Sequence, residues 1–171
     1  MSDGVEEIGH AYILAIAEDP WLRSRPNPGR DPLPKKGVVA MTLELINPEE
    51  LPTPESYTQV VAATGSRLVF VAGQVADDAQ GNLVGAGDLA AQAHQAFANV
   101  GRALTAAGSG PKQVARITIY VVHHRPEYLA EISKARISVF GEHKPADTLL
   151  GVEALAEPGY LIEVEAIAVL E

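Results

Sequence analysis

The segment that most constrains the fold is residues 161–170, LIEVEAIAVL, because it predicts a strand that is apolar on both faces. One face carries only aliphatic side chains, those of Ile162, Val164, Ala166 and Ala168. The other face combines aliphatic side chains with two carboxylates, in the order Leu161, Glu163, Glu165, Ile167 and Val169. We expect helices to bury the first face. A half-aliphatic face without helices needs another cover, so we expect oligomerisation.

Two helical patterns and several further strands accompany this segment. Apolar residues recur every three or four positions over residues 89–107, after a favourable N-cap at Asp88, and again over residues 129–140, after Pro126. Strands are predicted at residues 38–46, 67–75, 114–122 and 148–155, with a short hairpin arm at 82–84. Two helices can cover only one face of such a sheet, so the predicted class is α+β.

The composition changes near residue 38, which divides the chain into an N-terminal extension, residues 1–37, and a domain, residues 38–171. The extension begins with a short predicted helix at residues 5–17. Prolines and basic residues are concentrated in residues 20–37, which predicts an extended basic arm. Its charge suggests RNA or anion binding, but we favour a solvated arm that lies over the acidic body.

The overall composition argues against several classes of function. Cysteine is absent, which excludes disulfides, thiolate nucleophiles and iron–sulfur clusters. Lys and Arg number 13 against 22 Asp and Glu, and the resulting net charge of −9 disfavours nucleic-acid partners. No apolar run reaches the roughly 18 residues of a membrane span, and the acidic start of the chain makes a poor signal peptide. We therefore expect a cytoplasmic protein with no nucleic-acid or membrane partner.

Few side-chain patterns point to chemistry. His123 and His124 are adjacent and would point to opposite faces of a strand, so we expect no metal site. Residues 85–88, GAGD, are better explained as a helix cap than as a phosphate-binding loop. Glu163 and Glu165 are the strongest candidates, since a partly buried carboxylate can act as a general base. Their spacing alone favours a salt bridge or hydrogen bond at a subunit interface.

Four segments, taken in order, resemble the RidA (YjgF/translation-inhibitor) family: residues 46–61, residues 68–75, residues 92–100 and residues 161–169. The resemblance covers about residues 41–170, and EVEAIA at 163–168 is among its most specific parts. It implies a chorismate-mutase-like fold and a homotrimer whose sheets form a central barrel. It also implies sites in clefts between subunits, where enamines and imines are hydrolysed to 2-oxo acids and ammonia without cofactor or metal.

The resemblance also implies roles for individual residues. Glu163 matches the family's glutamate that positions or activates water. Tyr57 matches a tyrosine that lines the cleft, and Gly73 matches a glycine that contributes backbone, although the serine before that glycine is Ala72 here.

The family's substrate-binding arginine is replaced by an aspartate. The family pattern Pro-Ala-Arg-Ser falls on residues 145–148, PADT, so Asp147 occupies the arginine position. A hydrogen bond to a charged group contributes about 1.5–3 kcal/mol. Two like charges about 4 Å apart repel by about 4 kcal/mol at an effective dielectric of about 20. We place Thr148 in the same site and Arg125 at the mouth of the cleft.

Three functions are compatible with these residues. The favoured one is a RidA-like protein that has lost imino-acid deamination and binds or hydrolyses a neutral or cationic small molecule in the intersubunit cleft. A second is a retained deaminase, a cofactor-free hydrolase of C=N bonds, whose cation comes from elsewhere, for example from Arg30 or Lys36. A third is a trimeric binding module without chemistry. RNA cleavage, described for some family members, is disfavoured by the net charge of −9.

Overall fold

The computed structural model describes residues 40–171, which belong to a compact unit spanning Val38–Glu171. The predicted N-terminal helix and basic arm lie outside the described residues. Six strands and two α-helices are present in this part of the chain: β1 (Thr42–Ile46), β2 (Val60–Thr64), β3 (Arg67–Gln74), α1 (Leu89–Ala106), β4 (Val114–Val122), α2 (Leu129–Phe140), β5 (Ala146–Val152) and β6 (Ile162–Leu170).

The main sheet has four strands in the order β3-β6-β4-β5. Strands β3 and β4 both pair with β6 in antiparallel fashion, whereas β4 and β5 are parallel. Strand β6 is therefore central, as its two apolar faces predict, and β3 and β5 form opposite edges of this sheet. Strands β1 and β2 form a separate antiparallel pair.

One hydrophobic core lies between the sheet and the two helices. Ile162, Val164, Ala166 and Ala168 of β6 are buried in it. Phe97 of α1 and Phe140 of α2 meet edge to face there, with their ring centroids 6.2 Å apart. This arrangement confirms the predicted α+β class, with two helices on one face of the sheet. None of the helices within residues 40–171 is long and apolar enough to cross a membrane.

Both helices begin close to their predicted positions. The Asp88 carboxylate accepts a hydrogen bond from the Ala91 amide, so it caps α1 as its residue type predicts. Pro126 starts a single 3-10 turn, Pro126–Tyr128, and the α-helix proper follows it. Gly141 ends α2 with a φ of 56°, a conformation that glycine adopts without strain.

The predicted strands need correction at four places. Strand β2 is missing from the prediction because its five residues, VVAAT, have no alternating pattern and depend on pairing with β1. Residues 82–84 do not form a strand. The Asp78 carboxylate accepts hydrogen bonds from the Gln80 and Asn82 amides, and this tight turn leaves only one bridge, between Asp77 and Leu83.

The third correction concerns β5, which runs from Ala146 to Val152 instead of over residues 148–155. Its first residues are held in the sheet by parallel pairing with β4, a long-range contact that local sequence does not reveal. Strand β1 similarly begins at Thr42, later than the predicted residue 38.

A fully buried glutamine ties two loops to helix α1. The Gln92 side-chain amide donates hydrogen bonds to the carbonyls of Gly85 and Gly159, at 3.2 Å and 2.8 Å. Its Oε1 accepts a hydrogen bond from the Leu161 amide at 2.8 Å. Gln92 therefore satisfies three backbone groups next to the start of β6, which otherwise would lack partners away from water.

Replacing Gln92 with leucine keeps the side-chain volume but removes these hydrogen bonds. We expect Gln92→Leu to lower the free energy of unfolding by about 2–4 kcal/mol, because buried backbone groups lose their partners. Urea denaturation at one fixed protein concentration measures this change. The control is Gln80→Leu at an exposed position, which should alter the free energy by less than about 0.5 kcal/mol. Equal losses in the two variants would contradict this role.

Candidate functional site

Gly73 and Glu163 form one half of the candidate site. Between Val71 and Gln74 strand β3 contains one residue more than its partner β6, so a β-bulge includes Gly73. A Cβ atom on Gly73 would overlap Oε1 of Glu163, so the glutamate side chain lies directly against the glycine backbone. Only glycine permits this close approach, which explains why this residue type stands at the bulge.

Glu163 is half-buried on the face of the main sheet opposite the helices, which we call the open face. Its register partner is Tyr120 of β4, whose hydroxyl donates a hydrogen bond to Glu165 Oε1 at 3.5 Å. Burial and the neighbouring Glu165 carboxylate raise the pKa of Tyr120. Sequence reasoning missed Tyr120, because its proximity to both glutamates depends on the β4–β6 register.

Tyr57 belongs to a second group of residues, beside strand β5. The next residue, Thr58, forms a parallel bridge with Ala146. Its amide donates a hydrogen bond to the Pro145 carbonyl at 3.2 Å, and its hydroxyl donates one to the Lys144 carbonyl at 2.5 Å. These bonds hold the segment that carries Tyr57 against the start of β5, which is where Asp147 lies.

Asp147 lies on the helix side of the sheet. It is the register partner of the buried Ile117, and its neighbour on the same face, Leu149, packs against the core. Thr148 therefore points to the open face, where its hydroxyl accepts a hydrogen bond from Arg116 Nη2 at 3.4 Å. The structure thus places the adjacent site residues Asp147 and Thr148 on opposite faces.

The carboxyl group of Asp147 is largely desolvated. Burial raises its pKa from 3.8 to about 6, and the nearby Arg136 guanidinium opposes this rise. Arg136 is only 4% exposed, donates a hydrogen bond to the His143 carbonyl at 3.4 Å, and has a pKa lowered by its own burial. Asp147 Oδ1 is buried without a hydrogen-bond partner among residues 40–171, and the two groups form no direct ion pair there.

The predicted site residues therefore form two groups within one chain. Gly73 and Glu163 lie at the β3–β6 side of the sheet, whereas Asp147 and Thr148 lie on the opposite edge strand, β5. Strand β4 separates the two groups, so they are at least two strand spacings, or about 10 Å, apart. A ligand that contacts both groups at once would need them to come from different protomers.

Arg125 lies apart from Asp147. It follows the C-terminal end of β4, which lies beside the C-terminal end of β5, whereas Asp147 lies near the N-terminal end of β5. Glu163, paired with Tyr120, is nearer to the Arg125 end of the sheet. Within the described residues no group of three histidine, aspartate or glutamate side chains is arranged to hold a metal ion.

Comparison with known proteins adds to this geometry. The family described as Endoribonuclease L-PSP matches residues 48–170. A RutC family protein of Pyrococcus horikoshii is 33% identical over 129 residues, which cover 75% of this chain and 98% of the relative. A mitochondrial protein of Schizosaccharomyces pombe, mmf1, is 27% identical over 140 residues, which cover 80% of this chain and 83% of the relative.

Solved structures agree with these sequence relatives. A Yersinia pestis protein of unknown function from the conserved Rid protein family YyfB is 41% identical, with a TM-score of 0.71, over 75% of this chain and 98% of that protein. A Mycobacterium tuberculosis member of the YjgF/YER057c/UK114 family is 32% identical, with a TM-score of 0.51, over 67% of this chain and 86% of that protein. These similarities confirm the resemblance and the fold predicted from the sequence.

The raised pKa of Asp147 predicts a pH-dependent stability. The folded protein binds the proton of the Asp147 carboxyl group more tightly than the unfolded chain does. Ionisation of this group therefore lowers the free energy of unfolding above about pH 6. This loss of stability disappears as the pH falls to 3.8. We expect Asp147→Asn to raise the free energy of unfolding by about 1–3 kcal/mol at pH 8 and to change it little at pH 4. Urea denaturation at the two pH values measures both changes.

Asp78 provides a control of opposite sign. Hydrogen bonds from Asn82 lower the pKa of Asp78, so Asp78→Asn should destabilise the fold at pH 8. If Asp147→Asn instead destabilised the protein more at pH 8 than at pH 4, attraction to Arg136 would outweigh desolvation, and our assignment would be wrong.

Proposed function

We propose that this chain, which belongs to the Endoribonuclease L-PSP family of RidA and YjgF proteins, forms a homotrimer whose intersubunit clefts bind a neutral or cationic small molecule. The observation that carries this proposal is the desolvated Asp147 carboxylate at the position of the family's substrate-binding arginine. In this proposal the protein has diverged from the deaminases of 2-imino acids, and it acts in the cytoplasm.

The separation of the site residues into two groups on different strands supports the proposed homotrimer. A cleft between protomers can combine Gly73 and Glu163 of one protomer with Tyr57 and Thr148 of its neighbour, while Asp147 of that neighbour contributes its charge from the helix side of the same strand. The open face supplies apolar area for such an interface: Phe70 is 71% exposed, Leu68 58% and Leu150 43%. Exposed aliphatic and aromatic side chains concentrated on one sheet face are typical of a surface that another subunit covers.

A charged residue substituted for an exposed apolar residue of the open face should therefore disrupt the proposed trimer. We expect the wild-type protein to sediment as a trimer and Phe70→Glu to sediment as a monomer, because a carboxylate would be buried without a partner. Analytical ultracentrifugation measures the masses. Ile137→Glu on α2, which is 50% exposed in the wild type, is the matched control and should remain trimeric. A monomeric wild-type protein, or equal dissociation of both variants, would refute the interface.

The charge at Asp147 determines the class of ligand that we propose. A carboxylate ligand beside Thr148 would be repelled by the negative charge of Asp147 across strand β5; for scale, like charges about 4 Å apart repel by about 4 kcal/mol at an effective dielectric of about 20. Arg136 does not reverse this charge, since its guanidinium is buried behind Asp147 and donates to a backbone carbonyl. A neutral amide or an amine avoids this repulsion.

Glu163 is the residue that we propose for any hydrolytic step. Its carboxylate would take a proton from water as the water oxygen attacks the carbon of a C=N bond, and would then deliver that proton to the nitrogen. Collapse of the resulting carbinolamine breaks the C–N bond and releases the amine and a carbonyl product. The Glu163 carboxylate lies against Gly73 and forms no ion pair within residues 40–171, which suits a group that must exchange protons.

A retained deaminase is the second candidate function, and one observation favours it. Arg116 is an exposed cation on the open face, and its guanidinium already donates a hydrogen bond to Thr148. It could hold a substrate carboxylate in place of the missing arginine. The cations suggested from the sequence, Arg30 and Lys36, lie outside the described residues.

A thermal-shift comparison tests the ligand class. We expect n-butylamine or butyramide to raise the melting temperature of the wild-type protein and 2-oxobutyrate to leave it unchanged, since a bound ligand stabilises only the folded state. Asp147→Asn should weaken amine binding about tenfold, as expected when a nearby opposite charge is removed. Glu153→Arg, a charge reversal at an exposed residue, is the control and should bind like the wild type.

Imine hydrolysis separates the remaining candidates. In this assay an amino-acid oxidase generates the imine and semicarbazide traps it. A retained deaminase would hydrolyse the imine before it is trapped, and Glu163→Gln would abolish that hydrolysis. Such a result, or stabilisation only by 2-oxobutyrate, would refute the proposed ligand class. No stabilisation by any of the three compounds would favour the non-catalytic module instead.

A further inference from the structure

The open face of the main sheet carries charges of both signs that are not paired with each other. Glu163 and Glu165 are the carboxylates of β6 on this face, and Arg116 is the cation of β4. The salt bridges within residues 40–171 include none of these three side chains. They lie on the same face as the exposed Phe70 of β3, which the proposed homotrimer would bury. Charges on a face that becomes buried need partners of opposite sign.

Arg116 is directed towards the β5 edge of the sheet. Its Nη2 donates a hydrogen bond to the Thr148 hydroxyl at 3.4 Å, and Thr148 belongs to that edge strand. Arg116 is exposed, and a guanidinium has several N–H donors, so this bond leaves most of its hydrogen-bonding capacity to a further partner. A carboxylate matches these donors best, because parallel N–H groups can bind both of its oxygens.

Glu165 is held towards the centre of the sheet instead. It is half-buried, and its Oε1 accepts one long hydrogen bond, of 3.5 Å, from the Tyr120 hydroxyl. A protomer that covers the open face would remove water from the rest of this carboxylate. A carboxylate that is buried with one weak hydrogen bond and no cation is strongly destabilising. The proposed interface therefore requires a cation opposite Glu165.

The cation can come from the neighbouring protomer. This step rests on the proposed function, in which Thr148 of one protomer adjoins Gly73 and Glu163 of its neighbour. Arg116 is hydrogen-bonded to Thr148, so it would approach the β6 strand of that neighbour together with Thr148. Glu165 is two residues beyond Glu163 on the same strand face, about 7 Å away, which is within reach of an extended arginine side chain.

We propose that an ion pair between Arg116 of one protomer and Glu165 of the next joins the copies of this chain at each interface of the trimer. The partner that fits this surface is a second copy, because the exposed cation beside the β5 edge complements the unpaired carboxylate of β6. Each charge compensates one that would otherwise be buried alone. Glu163, which lies against Gly73, keeps its carboxylate free of a cation.

The same pair bears on the ligand of the cleft. A guanidinium that is bound to a carboxylate offers little positive charge to the carboxylate of a substrate. The retained deaminase depends on Arg116 for that charge. An ion pair with Glu165 therefore favours the neutral or cationic ligand that we propose.

Charge reversal tests the pair, with analytical ultracentrifugation of the full-length protein as the measurement. Arg116→Glu and Glu165→Arg each place like charges at every interface of the trimer. We expect each to raise the protein concentration at which half of the trimer is dissociated by at least about tenfold. The double variant Arg116→Glu/Glu165→Arg restores opposite charges and should sediment like the wild type.

Two controls separate the pair from general effects of charge. Arg102→Glu makes the same charge change at an exposed position of α1 and should leave the trimer intact. Arg116→Glu combined with Glu142→Arg, at an exposed position after α2, has the net charge of the double variant. It should stay as dissociated as Arg116→Glu alone, and recovery of the trimer in it would overturn the proposal.

The remaining outcomes are also decisive. Single variants that dissociate no more readily than a trimeric wild type, or a double variant that dissociates like them, would refute the ion pair alone. Arg116→Gln and Glu165→Gln replace any reversal variant that loses its helical circular dichroism, and unchanged trimer stability in both would equally refute the pair. A monomeric wild-type protein would instead refute the proposed homotrimer, and this inference with it.

Discussion

The rest of the structure depends on how strand β6 is covered on its two sides. Its Ile162–Ala168 alternation buries one face under α1 and α2, and that burial organises the single core of the described part of the chain. The other face carries Glu163 and Glu165 among aliphatic side chains, next to the exposed Phe70 of β3. The two faces of a central strand share one register, so a shift of the residues on one face also shifts the residues on the other. The packing of the core therefore determines where the Glu163 carboxylate lies.

Strand order then divides the candidate site. Because β6 and β4 lie between the edge strands, Gly73 and Asp147 are held apart by the sheet itself and no side-chain rearrangement can bring them together. The β-bulge at Gly73 brings Glu163 against the backbone of one edge strand. At the other edge, the bridge between Thr58 and Ala146 holds the Tyr57 segment in place. The cleft between protomers that we propose would use both edges without distorting either.

Local patterns predicted much of this fold, and the failures at β2 and at the start of β5 share one cause. The helices α1 and α2 and strands β3, β4 and β6 follow from apolar periodicity and from residues such as Asp88 that terminate elements. Strand β2 and the start of β5 depend on partners far along the chain, so their sequences alone do not reveal them. The strand pattern already singled out Glu163, whereas Gly73 was identified only through the family resemblance. The positions of Tyr120 and Arg136 required the register and the packing of α2.

The charge interaction between Asp147 and Arg136 also bears on which residue types position 147 tolerates. An arginine at residue 147 would place a second guanidinium beside Arg136, which is already buried and whose pKa is already lowered by desolvation. Two cations in that position would repel each other, whereas an aspartate partly compensates the buried charge. An aspartate at residue 147 and the buried Arg136 are therefore electrostatically compatible. The electrostatic environment of residue 147 is set from helix α2 as well as from strand β5.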